Sequence, residues 1–143
     1  MIVNTTGEVV SSGGGKSYET RTEVIMGGLD RTYGTTTNNY IGTYSQWVDI
    51  DAGKSFAEYD EIILVSCTQN DESTTGSKNR VLSRIPTYLL EYYDKLYIEE
   101  LHGGTTIYVK CCLDFTNNKF YLNNWNNLCP IALIGVKYCQ EVV

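Results

Sequence analysis

The sequence predicts an all-β domain: an antiparallel β-sandwich, jelly-roll-like, preceded by an N-terminal arm rich in Gly, Ser and Thr. Three observations carry that expectation. The chain holds 12 Tyr among 143 residues and is rich in Thr, and both residue types fit a pleated, half-buried surface. Its 13 Gly and many Asn supply turns, while only 2 Pro interrupt strands. From Tyr44 onward, apolar runs of strand length recur about every 8–12 residues with turn signals between them, as in sandwiches and barrels. Apolar spacing at the helical period is hard to find. A length of 143 residues makes one domain, and a hydrophobic fraction of 42% is enough to bury a core.

Residues 1–43 read differently from the rest. Ser11-Ser12-Gly13-Gly14-Gly15 sits in a Thr/Ser/Gly-rich stretch, the composition of an arm or linker. A short apolar run, Val24-Ile25-Met26, meets Gly27-Gly28, and a polar stretch follows through Asn38-Asn39. This segment is expected to lead into the domain or to pack on a neighbouring subunit. The sandwich is expected over residues 44–143.

Within the sandwich, Tyr44–Ile50 alternates around Trp47 and ends at Asp51-Ala52-Gly53. Tyr59–Cys67 contains the continuous apolar run Ile62-Ile63-Leu64-Val65, expected of a strand covered on both faces. Gln69–Asn79 reads as a polar loop and Arg80–Pro86 as a short strand. Thr87–Lys95 fits one turn of helix or a loop. Leu96–His102 and Thr105–Phe115 flank Gly103-Gly104, the pattern of a hairpin with a two-residue primed turn. Asn117-Asn118 is a second turn, leading to a strand over Lys119–Leu122. Asn123–Asn127 reads as an Asn-rich loop around Trp125, and Pro130–Tyr138 as the last strand, apolar through Ile131-Ala132-Leu133-Ile134.

Charge and composition exclude several functions. A net charge of −6 and a pI near 4.7 argue against nucleic acid and against anionic membrane surfaces. No apolar run approaches the ~18 residues of a membrane-inserting span, and the opening Met-Ile-Val-Asn-Thr-Thr lacks the stretches of a signal peptide. Five cysteines cannot all pair within one chain. They lack the CxxC spacing of zinc sites and are expected to be reduced thiols acting as small hydrophobes in a reducing compartment.

Catalytic and metal motifs fail on spacing. Gly13-Gly14-Gly15-Lys16-Ser17 has Val10 where a phosphate loop needs glycine, and no helix follows. Asp49-x-Asp51-x-Gly53 resembles the start of a calcium loop, but its glycine stands one place early and Asp60 occupies the twelfth position; a strand ending in an Asp-capped turn is the expectation. His102, the single histidine, sits beside a glycine turn and is expected at the exposed end of a hairpin. Asp60-Glu61, Asp71-Glu72 and Glu99-Glu100 could supply paired carboxylates for glycoside hydrolysis, yet acids of this kind normally form a solvated face. Asn4-Thr5-Thr6 is a glycosylation sequon without meaning in a bacterial or phage product. No cofactor, metal or enzymatic activity is expected. Tyr88, Tyr92, Tyr93 and Tyr97 cluster in sequence, and Asn123, Asn124 and Asn126 surround Trp125. Aromatic faces with amides are what sugar recognition uses and also what subunit interfaces use. Tyr88, Tyr92, Tyr93, Asn123, Asn124, Trp125 and Asn126 are the ligand-binding candidates, with loop contacts expected in Gln69–Lys78 and Asn123–Asn127.

The order of several phrases resembles a group of proteins. Ser55-Phe56-Ala57-Glu58-Tyr59-Asp60-Glu61 leading into Ile62-Ile63-Leu64-Val65, then Arg84-Ile85-Pro86, then Thr106-Ile107-Tyr108-Val109, and finally Ile134-Gly135-Val136-Lys137-Tyr138 resemble the recurrent segments of tail-fibre and other virion proteins of phages infecting Firmicutes. The resemblance spans roughly residues 44–138. It implies a small β-sandwich at a fibre tip, often a homotrimer, joined to other virion proteins, assembled in the host cytoplasm and touching a host surface glycan. No catalytic residues transfer with it. The alternatives are a capsid or tail decoration protein without a receptor role, a free-standing carbohydrate-binding module, and a glycan depolymerase or esterase.

Overall fold

A computed structural model describes residues 10–11, 16–29, 40–68, 80–102 and 106–142. These form β1 (Val10–Ser11), β2 (Ser17–Gly27), β3 (Trp47–Asp49), β4 (Glu61–Thr68), β5 (Arg80–Pro86), β6 (Lys95–Leu101), β7 (Tyr108–Asp114), β8 (Lys119–Asn126) and β9 (Leu128–Glu141). They build two antiparallel sheets, ordered β1-β2-β9-β4-β5 and β3-β8-β7-β6. The expected all-β sandwich is present. β2 lies beside β9 and β3 beside β8, so early strands pair with late ones as in a jelly roll. Between them, β4-β5 is a hairpin and β6-β7-β8 a meander, each within one sheet.

The apolar runs lie where their pattern requires. β4 and β9 are inner neighbours of the five-stranded sheet. Ile62 and Leu64 point into the main core, whereas the alternate residues Ile63, Val65 and Cys67 join Ile131, Ala132 and Ile134 in a second cluster on the other face. Burial on both faces explains why this segment reads as a continuous apolar run. Between the sheets, Phe56 and Phe115 meet edge to face at 5.5 Å, with Leu113, Phe120, Leu122 and Leu133 around them. Phe56 enters on a 3-10 turn, Phe56–Glu58. Its N–H donates to Asn118 Oδ1 at 2.9 Å. Asn118 itself adopts the left-handed conformation, φ 54°, which Asn tolerates better than most residues. The β7–β8 turn of one sheet is thereby tied to the lead-in of the other.

Two segments differ from the sequence expectation. Ser17–Gly27, read as part of the arm over residues 1–43, is an 11-residue strand hydrogen-bonded along β9. Its mixture of Thr, Glu and Arg hides a strand with one mainly polar face, and Ile25 alone in it is fully buried. Asn123–Asn126, read as a loop, continues β8. Asn is a turn former, but here β7 supplies a partner for Asn124 and Trp125 across a bulge. The turn to β9 waits until Asn127, at φ 59°. The polar loop Gln69–Asn79 with its Asp71-Glu72 pair, the Gly103-Gly104 turn and the sequon at Asn4 lie outside the described residues.

Thr87–Glu91, ambiguous in sequence, is a 3-10 turn that carries the chain from β5 in one sheet to β6 in the other. Thr87 fixes it: its N–H donates to the Asp60 carbonyl at 3.0 Å and its Oγ1 donates to the Tyr59 carbonyl at 2.5 Å. Gly27 closes β2 at φ 81°, and a Cβ there would stand 2.0 Å from the Ile131 carbonyl oxygen.

Candidate functional site

In an antiparallel sheet, residues opposite one another share a face. The register therefore assembles a row across the outer face of the four-stranded sheet: Trp47 opposite Tyr121, Tyr121 opposite Cys112, and Cys112 opposite Tyr97. Trp47 and Tyr121 pack at 5.0 Å between ring centroids, tilted by 42°. Tyr97 is 77% exposed and Trp47 37%. Cys112 between them is buried. Burial pushes the Cys112 thiol up, with Lys95 opposing and Asp114 adding to the shift. Its neighbour Cys111 points the other way, into the core.

Charged rows flank the aromatic one. On one side Asp49, Lys119, Asp114 and Lys95 alternate in sign across the same four strands. Lys119 Nζ lies 2.9 Å from Asp49 Oδ1, so Asp49 of the calcium-like phrase is held by a lysine. Among the described residues no group of three His, Cys, Asp or Glu side chains could hold a metal ion. Lys95 Nζ reaches to 5.3 Å over the Trp47 ring, a favourable cation–π position. Burial opposes the charge of Asp114, but two N–H groups of Asn117, each at 3.0 Å, and the nearby Lys95 keep its carboxyl below the ordinary range. On the other side Glu99 stands opposite Lys110 and Lys110 opposite Asn124. A hollow of about 240 Å³ opens between Tyr97, Glu99, Lys110 and Asn123.

The structure divides the sequence-predicted residues. Asn123 is exposed at the hollow, and Asn124 and Asn126 lie on the same strand. Asn124 Nδ2 donates to Tyr108 Oη at 3.2 Å and its Oδ1 accepts from the Trp125 N–H. Asn126 Nδ2 donates to the Thr106 carbonyl at 2.5 Å. Both amides are thus already engaged. Trp125 turns inward, packs against the main core and meets Tyr40 at 5.6 Å. Tyr88, Tyr92 and Tyr93 are exposed but sit on the β5–β6 connection, away from the sheet register that holds the Asn residues. The aromatic residues sharing the Asn face are Trp47, Tyr97 and Tyr121, with Tyr108 beside Asn124 and Lys110. Sequence reasoning missed this set because register, not sequence distance, brings them together.

Two other expectations need correction. His102 is half-buried, not exposed, and its Nδ1 is buried without a partner among the described residues. Glu61 and Glu100 do not belong to a solvated face. Glu61 accepts from Arg84 and from the Tyr138 hydroxyl. Glu100 on β6 is 3% exposed between the sheets, where Ser66 of β4 and Ser83 of β5 donate to its carboxylate, Ser83 at 2.7 Å. Burial raises the Glu100 carboxyl to about 7 against the pull of both serines.

No protein-family model matches the chain, and no curated protein matches it. The five cysteines form no disulfide.

Proposed function

We propose that this chain is a phage virion protein, the tip or receptor-binding domain of a tail fibre, that holds a host surface glycan on the outer face of its four-stranded sheet. The observation that carries the binding part is the row Trp47–Tyr121–Cys112–Tyr97 beside the hollow at Asn123. Aromatic rings on a rigid pleated surface can stack on the apolar face of a pyranose, and the Asn123 amide, Lys110 and Glu99 offer partners to its hydroxyls. The virion part is supported by the ordered phrases of residues 44–138. Cysteines that form no disulfide suit assembly in a reducing cytoplasm.

Titration with cell-wall polysaccharides of Firmicute hosts tests the reading. Trp47→Ala and Tyr97→Ala are each expected to weaken binding about tenfold, roughly 1.4 kcal/mol, with the thermal midpoint little changed for Tyr97→Ala because that ring is 77% exposed. Binding that is indifferent to both substitutions, or absent for every polysaccharide, would overturn it. A decoration protein makes a different forecast: Trp47→Ala would then lower the solution mass measured by light scattering, with no host-cell binding at any stage.

A further inference from the structure

The geometry points to a second binding site, for a saccharide bearing a free ammonium group, in the cleft between the lead-in to β4 and the β5–β6 connection. This inference does not rest on the glycan reading of the sheet face. The cleft has a volume of about 650 Å³ and is bordered by Asp60, Thr87, Tyr88, Leu90, Glu91 and Tyr138, within the size range of small-ligand sites.

Its walls are aromatic and one of them is held in place. Tyr138 is fixed at both ends: its N–H donates to Asp60 Oδ2 at 2.7 Å and its hydroxyl donates to Glu61. The residue is nonetheless 43% exposed, and Tyr88 across the cleft is 63% exposed. A ring anchored in this way loses little freedom when a ligand stacks on it.

The charges of the cleft have one sign. Asp60 and Glu91 are the charged residues bordering it. Neither takes part in an ion pair among the described residues. Asp60 uses Oδ2 for Tyr138, which leaves Oδ1 available, and Glu91 makes no side-chain hydrogen bond there. The neighbouring cations contact groups at the edge of the cleft: Arg84 pairs with Glu61, which also accepts the Tyr138 hydroxyl, and Lys137 Nζ lies 5.3 Å from the centroid of the Tyr59 ring, itself part of the lining. Two carboxylates that make no ion pair among the described residues, next to exposed rings, complement a ligand that joins a positive charge to a flat apolar face. An ammonium gains from both the carboxylates and the ring quadrupoles. A hexosamine with a free 2-amino group has this combination. N-acetylation removes its charge and keeps its ring.

The test is calorimetric titration of the full chain with a β-1,4-linked glucosamine tetramer, its N-acetylated counterpart and tetralysine. The glucosamine tetramer is expected to bind at least tenfold more tightly than the other two. Glu91→Gln, at an exposed position without structural hydrogen bonds, is expected to weaken that binding about tenfold. Glu19→Gln removes the same charge on β2, outside the cleft, and is expected to leave it within twofold. Equal binding of the N-acetylated tetramer or of tetralysine, no effect of Glu91→Gln, or no binding at all would each overturn the proposal.

Discussion

Replacing Gly27 by alanine is expected to destabilise the fold by about 3 kcal/mol or more. The left-handed backbone at φ 81° costs a non-glycine residue roughly 1–2 kcal/mol. The new Cβ would also stand 2.0 Å from the Ile131 carbonyl oxygen and 2.4 Å from Ile41, and overpacking of this kind costs about 1–3 kcal/mol. The carbonyl has no freedom to retreat, because it accepts the Gly28 N–H at 3.0 Å. Gly53 provides the comparison. It has nearly the same φ, 80°, with nothing within 4 Å of the added Cβ, so Gly53→Ala should show only the backbone part. Denaturant titration of both variants measures the difference as a shift in midpoint at constant slope. Equal, small losses at the two positions would mean that β2 is not docked on β9, and would restore residues 1–43 as a separate arm.

The second large effect is a stability that falls as pH rises. Burial raises the Glu100 carboxyl from 4.5 to about 7, while Ser66 and Ser83 pull the other way. An acid with a raised folded-state value binds its proton more tightly in the fold than in the unfolded chain. Its contribution is therefore complete below 4.5 and is lost as pH passes through about 7. The difference corresponds to about 3 kcal/mol at most. The other titratable neighbour is the Cys111 thiol, held up chiefly by burial and further by Glu100 itself. Glu100→Gln keeps the shape and removes the titration. The variant should match the wild type near pH 5 and exceed it at pH 8. Thermal melts of both proteins across that range decide the matter, and parallel curves would refute the assignment.

Much of the sandwich was legible in the sequence because its strands are punctuated by the residues that end them. Arg80–Pro86 occurs with the bounds expected, the apolar run of β4 announced a strand covered on both faces, and that of β9 announced the last strand. The segments misread are those where local preference yields to pairing. Ser17–Gly27 is polar enough to pass for a linker, yet it gains ladder partners on β9. Asn123–Asn126 has turn composition and remains a strand because β7 extends beside it. The candidate site was only half legible for the same reason. Asn123 could be singled out from its neighbours in the chain, whereas Trp47, Tyr97 and Tyr121 come from three strands and meet only through register. The pair Glu99-Glu100 read by itself does not tell which acid faces water; only the alternation from Leu96 and Ile98 sets Glu100 on the inward face, toward Ser66 and Ser83.

β9 lies between β2 and β4, with Tyr18 opposite Glu141 and Glu61 opposite Val136. It follows every strand it joins, so the five-stranded sheet cannot be completed during synthesis until residues 128–141 have left the ribosome. The meander β6-β7-β8 needs only neighbours in the chain and can form earlier. Folding that depends on such distant pairings is slow. In the interval β4 offers an unpaired apolar edge, and aggregation during expression should start there.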